Sequence, residues 1–178
     1  MKKYLFILLA ALSTVSITSC DTDYESYPPQ FADMVFESEA AIQNDTVTAG
    51  QTFQATLNMA TGQQNVYLSG QSWLLDKEIK PSATSLAGGG LLPCAQFNTP
   101  LNLEEGWHEV KVELTYGVTG NESREMKNYS TATGLKVEYT QPWAGAVGHY
   151  VFTCTKKIYV KAAPQTPEEE EEDETTNS

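Results

Sequence analysis

Histidine, cysteine and basic residues are all scarce in this chain. Among 178 residues stand two histidines, three cysteines, and 11 lysines and arginines against 23 acids. Each scarcity excludes a chemistry. His108 and His149 lie at no metal-ligand spacing, and Cys94 and Cys154 form no Cys-x-x-Cys pair, so no metal site is assigned. No Gly-x-Ser-x-Gly elbow occurs, which leaves a Ser-His-Asp arrangement without a motif. Gly88-Gly89-Gly90 runs into Leu91-Leu92-Pro93 instead of Gly-Lys-Ser/Thr, and therefore reads as a hinge and not as a phosphate cradle. Glu104 and Glu105 are adjacent on a turn, where carboxylates are usually only solvated, and the loop acids Asp76 and Glu78 lack the Asp-x-Asp spacing of a calcium loop. No catalytic residue and no cofactor follow from these patterns. With no basic stripe to neutralise phosphates, nucleic acid is excluded as a partner. No helical stripe of useful length occurs either.

One long apolar run exists, and it stands at the amino terminus. Lys2 and Lys3 precede Tyr4 to Ile17, which ends in Ile17-Thr18-Ser19-Cys20. A positive start, a short apolar stretch and small residues before a cut are the parts of a secretory signal, too short for a membrane span. The ending resembles a lipobox, the site where lipoprotein signal peptidase cleaves before a diacylated cysteine. The resemblance implies that residues 1–19 are removed and that Cys20 becomes a lipidated amino terminus. Each buried methylene contributes roughly 0.8 kcal/mol, so the two or three chains of such a lipoprotein anchor it stably.

Charge is distributed unevenly. Lys2 and Lys3 leave with the signal, so 11 bases fall to 9 and the net charge moves from −12 to −14. Glu168 to Glu174 supplies seven acids and Asp21, Asp23 and Glu25 three more, which leaves 13 acids against 9 bases between Phe31 and Ala163. Residues 20–30 are polar and acidic and end in Pro28-Pro29-Gln30, which reads as an extended tether. Residues 164–178 carry two prolines and the glutamate run, and read as a disordered acidic tail. The body at 31–163 is then one domain with room for a real core. Outside the cytoplasm Cys94 and Cys154 meet an oxidising environment. A bridge between them closes a loop of roughly 60 residues, worth about 4 kcal/mol by chain entropy. Two separate buried thiols are the alternative.

Within the body the dominant period is two. Phe53, Ala55, Leu57 and Met59 alternate with polar residues, as do Val110, Val112, Leu114 and Tyr116, and Leu135, Val137 and Tyr139. Tyr150, Phe152 and Cys154 share one face, as do Ile158 and Val160. Lys156 falls on the same apolar parity, where a bulge or an edge is expected. Met34 with Phe36, Val66 with Leu68, and Trp73 with Leu75 mark three further strands. The stretch from Ile79 to Leu103, with Pro81, the glycine triplet, Pro93 and Pro100, reads as one long loop. About seven strands joined by turns imply an all-β, antiparallel β-sandwich.

Three further resemblances follow. Ser72-Trp73-Leu74-Leu75-Asp76 and Gly106-Trp107-His108-Glu109-Val110-Lys111-Val112-Glu113-Leu114 resemble the central strand pair of immunoglobulin-like domains of the PKD type. That implies Trp73 in the core, lined by Val110, Val112 and Leu114 from the facing sheet. Lys77-Glu78-Ile79 stands where the family usually has Gly-Asp-Gly. His108, on the buried parity, is expected to be a core histidine with one hydrogen bond. Asp21, Asp23 and Glu25 after Cys20 resemble the export signal of Bacteroidetes-type surface lipoproteins, which implies an outer-membrane anchor and surface display. Asp45-Thr46-Val47 is similar to the O-glycosylation acceptor of such organisms, with Thr46 as the acceptor and a plain strand residue as the alternative.

Aromatics near turns supply the remaining candidates. Trp143 lies in a stretch rich in glycine and proline, and Trp107 at a strand entrance beside Gly106. An exposed indole stacks on sugar rings and anchors protein contacts, and rings folded back as plugs over the sandwich ends are the alternative. The expected function is a non-enzymatic lipoprotein of the cell envelope, acting as a binding or adhesion module. The alternatives are a carbohydrate-binding accessory of a polysaccharide-capture system and a structural subunit of a surface assembly. Its partners would be the membrane, through lipid, and a glycan or another envelope protein.

Overall fold

A computed structural model of the chain describes residues 25–26, 28–38, 45–61, 65–119, 122–123, 126–140 and 149–164. Among them every regular element is a strand. In order these are β1 (Glu25–Ser26), β2 (Gln30–Glu37), β3 (Thr46–Thr48), β4 (Thr52–Thr61), β5 (Val66–Leu75) and β6 (Ala83–Ala87). Then follow β7 (Leu92–Asn98), β8 (Gly106–Val118), β9 (Glu122–Ser123), β10 (Tyr129–Ser130), β11 (Lys136–Thr140) and β12 (His149–Lys161). No helix among the described residues is long and apolar enough to cross a membrane.

The strands form two main sheets. One runs β10-β11-β12-β8-β5, with β3 adding parallel to β12, and the other runs β2-β4-β7-β6, antiparallel throughout. β1 and β9 form a separate parallel pair. With the two- and three-residue strands set aside, the eight remaining strands stand in chain order as 1-2-5-4 in one sheet and 7-8-6-3 in the other. The chain is thus a β-sandwich. Alternation explains why: residues two apart on a strand share a face, and each sheet's apolar face must be covered by the other.

The core lies between the two inner faces. Phe31, Phe53 and Phe97 come from one sheet, and Trp73, Val112, Leu114, Tyr116 and Phe152 from the other, all 2% exposed or less. The Phe31 ring meets Phe152 edge-on at 5.4 Å across the interface, and Phe53 stacks on Phe97 at 5.2 Å. Burial of one such side chain contributes about 1.5–3 kcal/mol. Tyr129 ties the ends together: its hydroxyl accepts from Phe31 N at 2.7 Å and donates to Phe31 O at 3.1 Å. Removal from water raises the pKa of that phenol above 10.0, although the Phe31 backbone contact pulls the other way.

Several expectations need correction. The stretch from 79 to 103 is not a loop, because β6 and β7 form a hairpin inside it. Gly88, Gly89 and Gly90 take φ of 59°, 75° and 86°, a left-handed run that turns the chain, and Leu91 N donates to Ala87 O to close it. Pro93 is accommodated on β7, whose neighbour β6 is an edge strand. The apolar pairs at 66–68 and 73–75 belong to one strand, β5, which carries a register shift between Leu68 and Gly70. Trp73 is in the core, but Val112 lies directly beside it on the neighbouring strand of the same sheet, not on the facing one. Pro28 and Pro29 are buried, and Gln30 is the first residue of β2. β12 shows no bulge at Lys156. The strand pairs with β8 in unbroken register through Lys156↔Val110. On its other side the pairing with β11 stops at Thr155↔Lys136 and the pairing with β3 begins at Tyr159↔Thr46, so Lys156 stands at a gap between two short partners, a local edge.

Candidate functional site

The outer face of the larger sheet carries the most prominent exposed aromatic. Trp107, Tyr159 and Thr46 form one row across β8, β12 and β3. Trp107 is 63% exposed, and its ring stands edge-on to Tyr159 at 5.4 Å. The indole therefore does not plug the sandwich end but lies exposed on the sheet surface. Glu105 fixes its neighbour, because the Tyr159 hydroxyl donates to Glu105 Oε1 at 3.0 Å. Beside the row opens a pocket of ≈340 Å³, whose lining includes Trp107, Glu109, Thr133, Lys136, Lys157 and Asp45. The combination of an aromatic face, hydroxyl and charged groups suits a ligand with one apolar and several polar surfaces. A second, polar hollow of ≈720 Å³ lies across β2, β4 and β7 of the other sheet, against Glu37, Gln51, Gln54 and Gln96.

Thr46 stands in β3, half-buried, between an acid and a valine that both serve the fold. Val47 is 2% exposed, and the Asp45 carboxylate pairs with Lys156. Trp143 and Cys20 lie outside the described residues, as do the remainder of the tether and the tail beyond residue 164.

His108 sits near the end of β8, with its side chain 12% exposed, and uses both ring nitrogens. Nδ1 lies 2.7 Å from Asp76 Oδ2, and Nε2 lies 2.8 Å from the Glu104 carbonyl. The expectation of a single hydrogen bond is thus corrected. A carboxylate and a carbonyl only accept, so the two contacts favour the protonated ring, in which both nitrogens donate. Burial alone would lower its pKa, but the Asp76 hydrogen bond, the Glu104 carbonyl and the two nearby carboxylates raise it above 6.5. Asp76 is held at φ 53° and also accepts from Glu109 N at 2.9 Å. The pair resembles a catalytic dyad in outline only: with Nε2 capped by a carbonyl, no nitrogen is left to move a substrate proton.

Cys94 and Cys154 are free and buried, and do not form the bridge considered from the sequence. The reason is parity. Ala95 and Phe97 take the inward face of β7, which leaves Cys94 on the outward face, where its Sγ contacts Ser85 Oγ at 3.1 Å. Cys154 faces the core from the opposite sheet. Burial pushes the Cys154 thiol far above its usual range and makes it inert.

Lys156 was legible only as an anomaly, and the structure explains it. Its side chain is 6% exposed, and Nζ lies 3.0 Å from Asp33 Oδ1, 3.0 Å from Asp45 Oδ2 and 2.9 Å from the Met34 carbonyl. All three ammonium protons are thereby satisfied, which a buried cation requires. Among the described residues no cluster of His, Cys, Asp and Glu could hold a metal ion. Comparison with protein-family models, curated proteins and solved structures finds no match for this chain.

Proposed function

We propose that this chain is a non-enzymatic, lipid-anchored protein of the cell envelope, displayed at the cell surface, whose immunoglobulin-like sandwich binds through the Trp107 face. The finer fold assignment is supported by the strand order 1-2-5-4 against 7-8-6-3, which is that of seven-stranded immunoglobulin sandwiches with β11 added beside β12. The lipobox-like Ile17-Thr18-Ser19-Cys20 supports the anchor. One observation carries the binding reading: a tryptophan 63% exposed on a rigid sheet, beside a pocket. An exposed indole with a second aromatic against it and a pocket beside it suits a contact site, and a strand holds the ring in place at little entropic cost.

The exposed indole also favours the second reading, a carbohydrate-binding accessory, because indole faces stack on sugars. A glycan panel and intact-cell binding, run on the wild type and on Trp107→Ala, test both. Loss of binding in the variant at unchanged melting temperature is the expected result. Equal binding by the two proteins removes this face from the function. Binding to cells with no glycan recognised leaves adhesion through a protein partner.

A further inference from the structure

Two departures from regular backbone geometry converge on one amine. β2 carries a bulge between Phe31 and Asp33: Phe31 pairs with Met59 and Asp33 with Asn58, which leaves Ala32 as the extra residue. The bulge brings the Asp33 carboxylate to Lys156 Nζ at 3.0 Å. Asp45 is held at φ 52°, a left-handed conformation sparsely populated by non-glycine residues, and delivers a second carboxylate to the same nitrogen at 3.0 Å. Lys156 itself sits on the core face of a regular strand, with the Phe36 ring 5.5 Å from Nζ. Met34 N donates to Asp33 Oδ1 at 2.7 Å. A nucleophile, a carboxyl carbon, an oxyanion donor and a proton carrier are thus gathered on β2, β12 and the residue before β3.

We propose that Lys156 and Asp33 condense into an amide, a self-made covalent link between the two sheets. In the first step the ion pair exchanges a proton, from the ammonium to Asp33 Oδ2, giving a neutral amine and a neutral acid. The Nζ lone pair then attacks Asp33 Cγ. A C–N bond forms and the C=O π electrons move to Oδ1, where the Met34 amide stabilises the developing charge. Asp45 takes one proton from the attached nitrogen and passes it to the Asp33 hydroxyl. The C–O bond breaks, water leaves and the carbonyl re-forms. The sum is one ammonium and one carboxylate converted to one amide and one water, with Asp45 restored and no oxidant or cofactor consumed. Holding the amine against the carboxyl at contact distance supplies the effective concentration that favours condensation over hydrolysis. The pocket lined by Asp45 and Lys156 gives the water a way out.

Intact mass under denaturing conditions tests this on the full chain, purified alongside Lys156→Arg from the same cells. Arginine keeps the charge and the ion pairs but cannot form the link. Both proteins carry the same amino terminus, so their mass difference isolates the reaction. The expected result is a wild type lighter than the variant by the side-chain difference plus one water, with a branched peptide joining the Asp33 and Lys156 segments after proteolysis. Asp45→Asn, folded by circular dichroism, is expected to keep most of its chains unlinked. A folded wild type of full mass, with Lys156 in a linear peptide, overturns the proposal; Asp45→Asn that links as completely as wild type overturns the part given to Asp45.

Discussion

His108 owes its charge to where its two nitrogens point. Since the folded-state pKa is raised above 6.5, protonation stabilises the fold fully below that unfolded value, and the contribution is lost as pH rises through the folded value. His108→Gln should therefore lower the melting temperature at about pH 5 and have much less effect at about pH 8. Equal losses at both pH values would mean that the ring acts only as a hydrogen-bonding spacer. The cysteines make a second prediction at this scale. Electrophoretic mobility should not change with reductant, and Cys94 and Cys154 should react with a thiol reagent only after unfolding, because both are buried and point to different sides of the sandwich.

At the scale of elements, the β6–β7 hairpin combines a tolerant turn with an intolerant strand. A Cβ added at Gly89 meets nothing within 4 Å, so a short glycine-rich insertion at Gly89 should leave stability nearly unchanged. Phe97, fully buried and stacked on Phe53, should cost about 3–5 kcal/mol when cut to alanine, as measured by denaturant unfolding. A large loss from the insertion, or a small one from Phe97→Ala, would contradict this packing. The same hairpin shows where the reading of residues ended. β4 and β8 were legible because half of each strand is buried and alternates cleanly, as in Phe53 to Met59 and Val110 to Tyr116. β6 lies at a sheet edge and is exposed along nearly its whole length, so no apolar alternation marks it. Pro93 and the glycine triplet, which punctuate the turn, conceal β7.

Partners brought together by topology were equally hidden. Lys156 stood out on an apolar face, but its carbonyl partner Met34 is 122 positions away, and nothing local points to Asp33 or Asp45. Likewise the parity of His108 was readable while its partner Asp76, 32 residues earlier, was not. Trp107 was legible as a candidate from its place at a strand entrance. The Tyr159 edge beneath it and the pocket beside it required the register of β8 on β12.

At the scale of the whole molecule, the chain combines a two-sheet sandwich, acidic ends and the lipobox-like sequence Ile17-Thr18-Ser19-Cys20. The sandwich places Trp107 on an outward face, and attachment through Cys20 would hold that face beyond the membrane surface on a short acidic spacer. Two or three acyl chains suffice for stable attachment, whereas a mature chain lacking them has no described element to replace them. Fractionation of cells expressing the wild type or Cys20→Ala, with sequencing of the mature amino terminus, is the most direct test. Wild type should partition with membranes and begin at Cys20, and Cys20→Ala should leave the membrane fraction. A Cys20→Ala protein that remains membrane-bound and is cleaved at the same position would contradict lipid anchoring and, with it, the placement of the binding face at the cell surface.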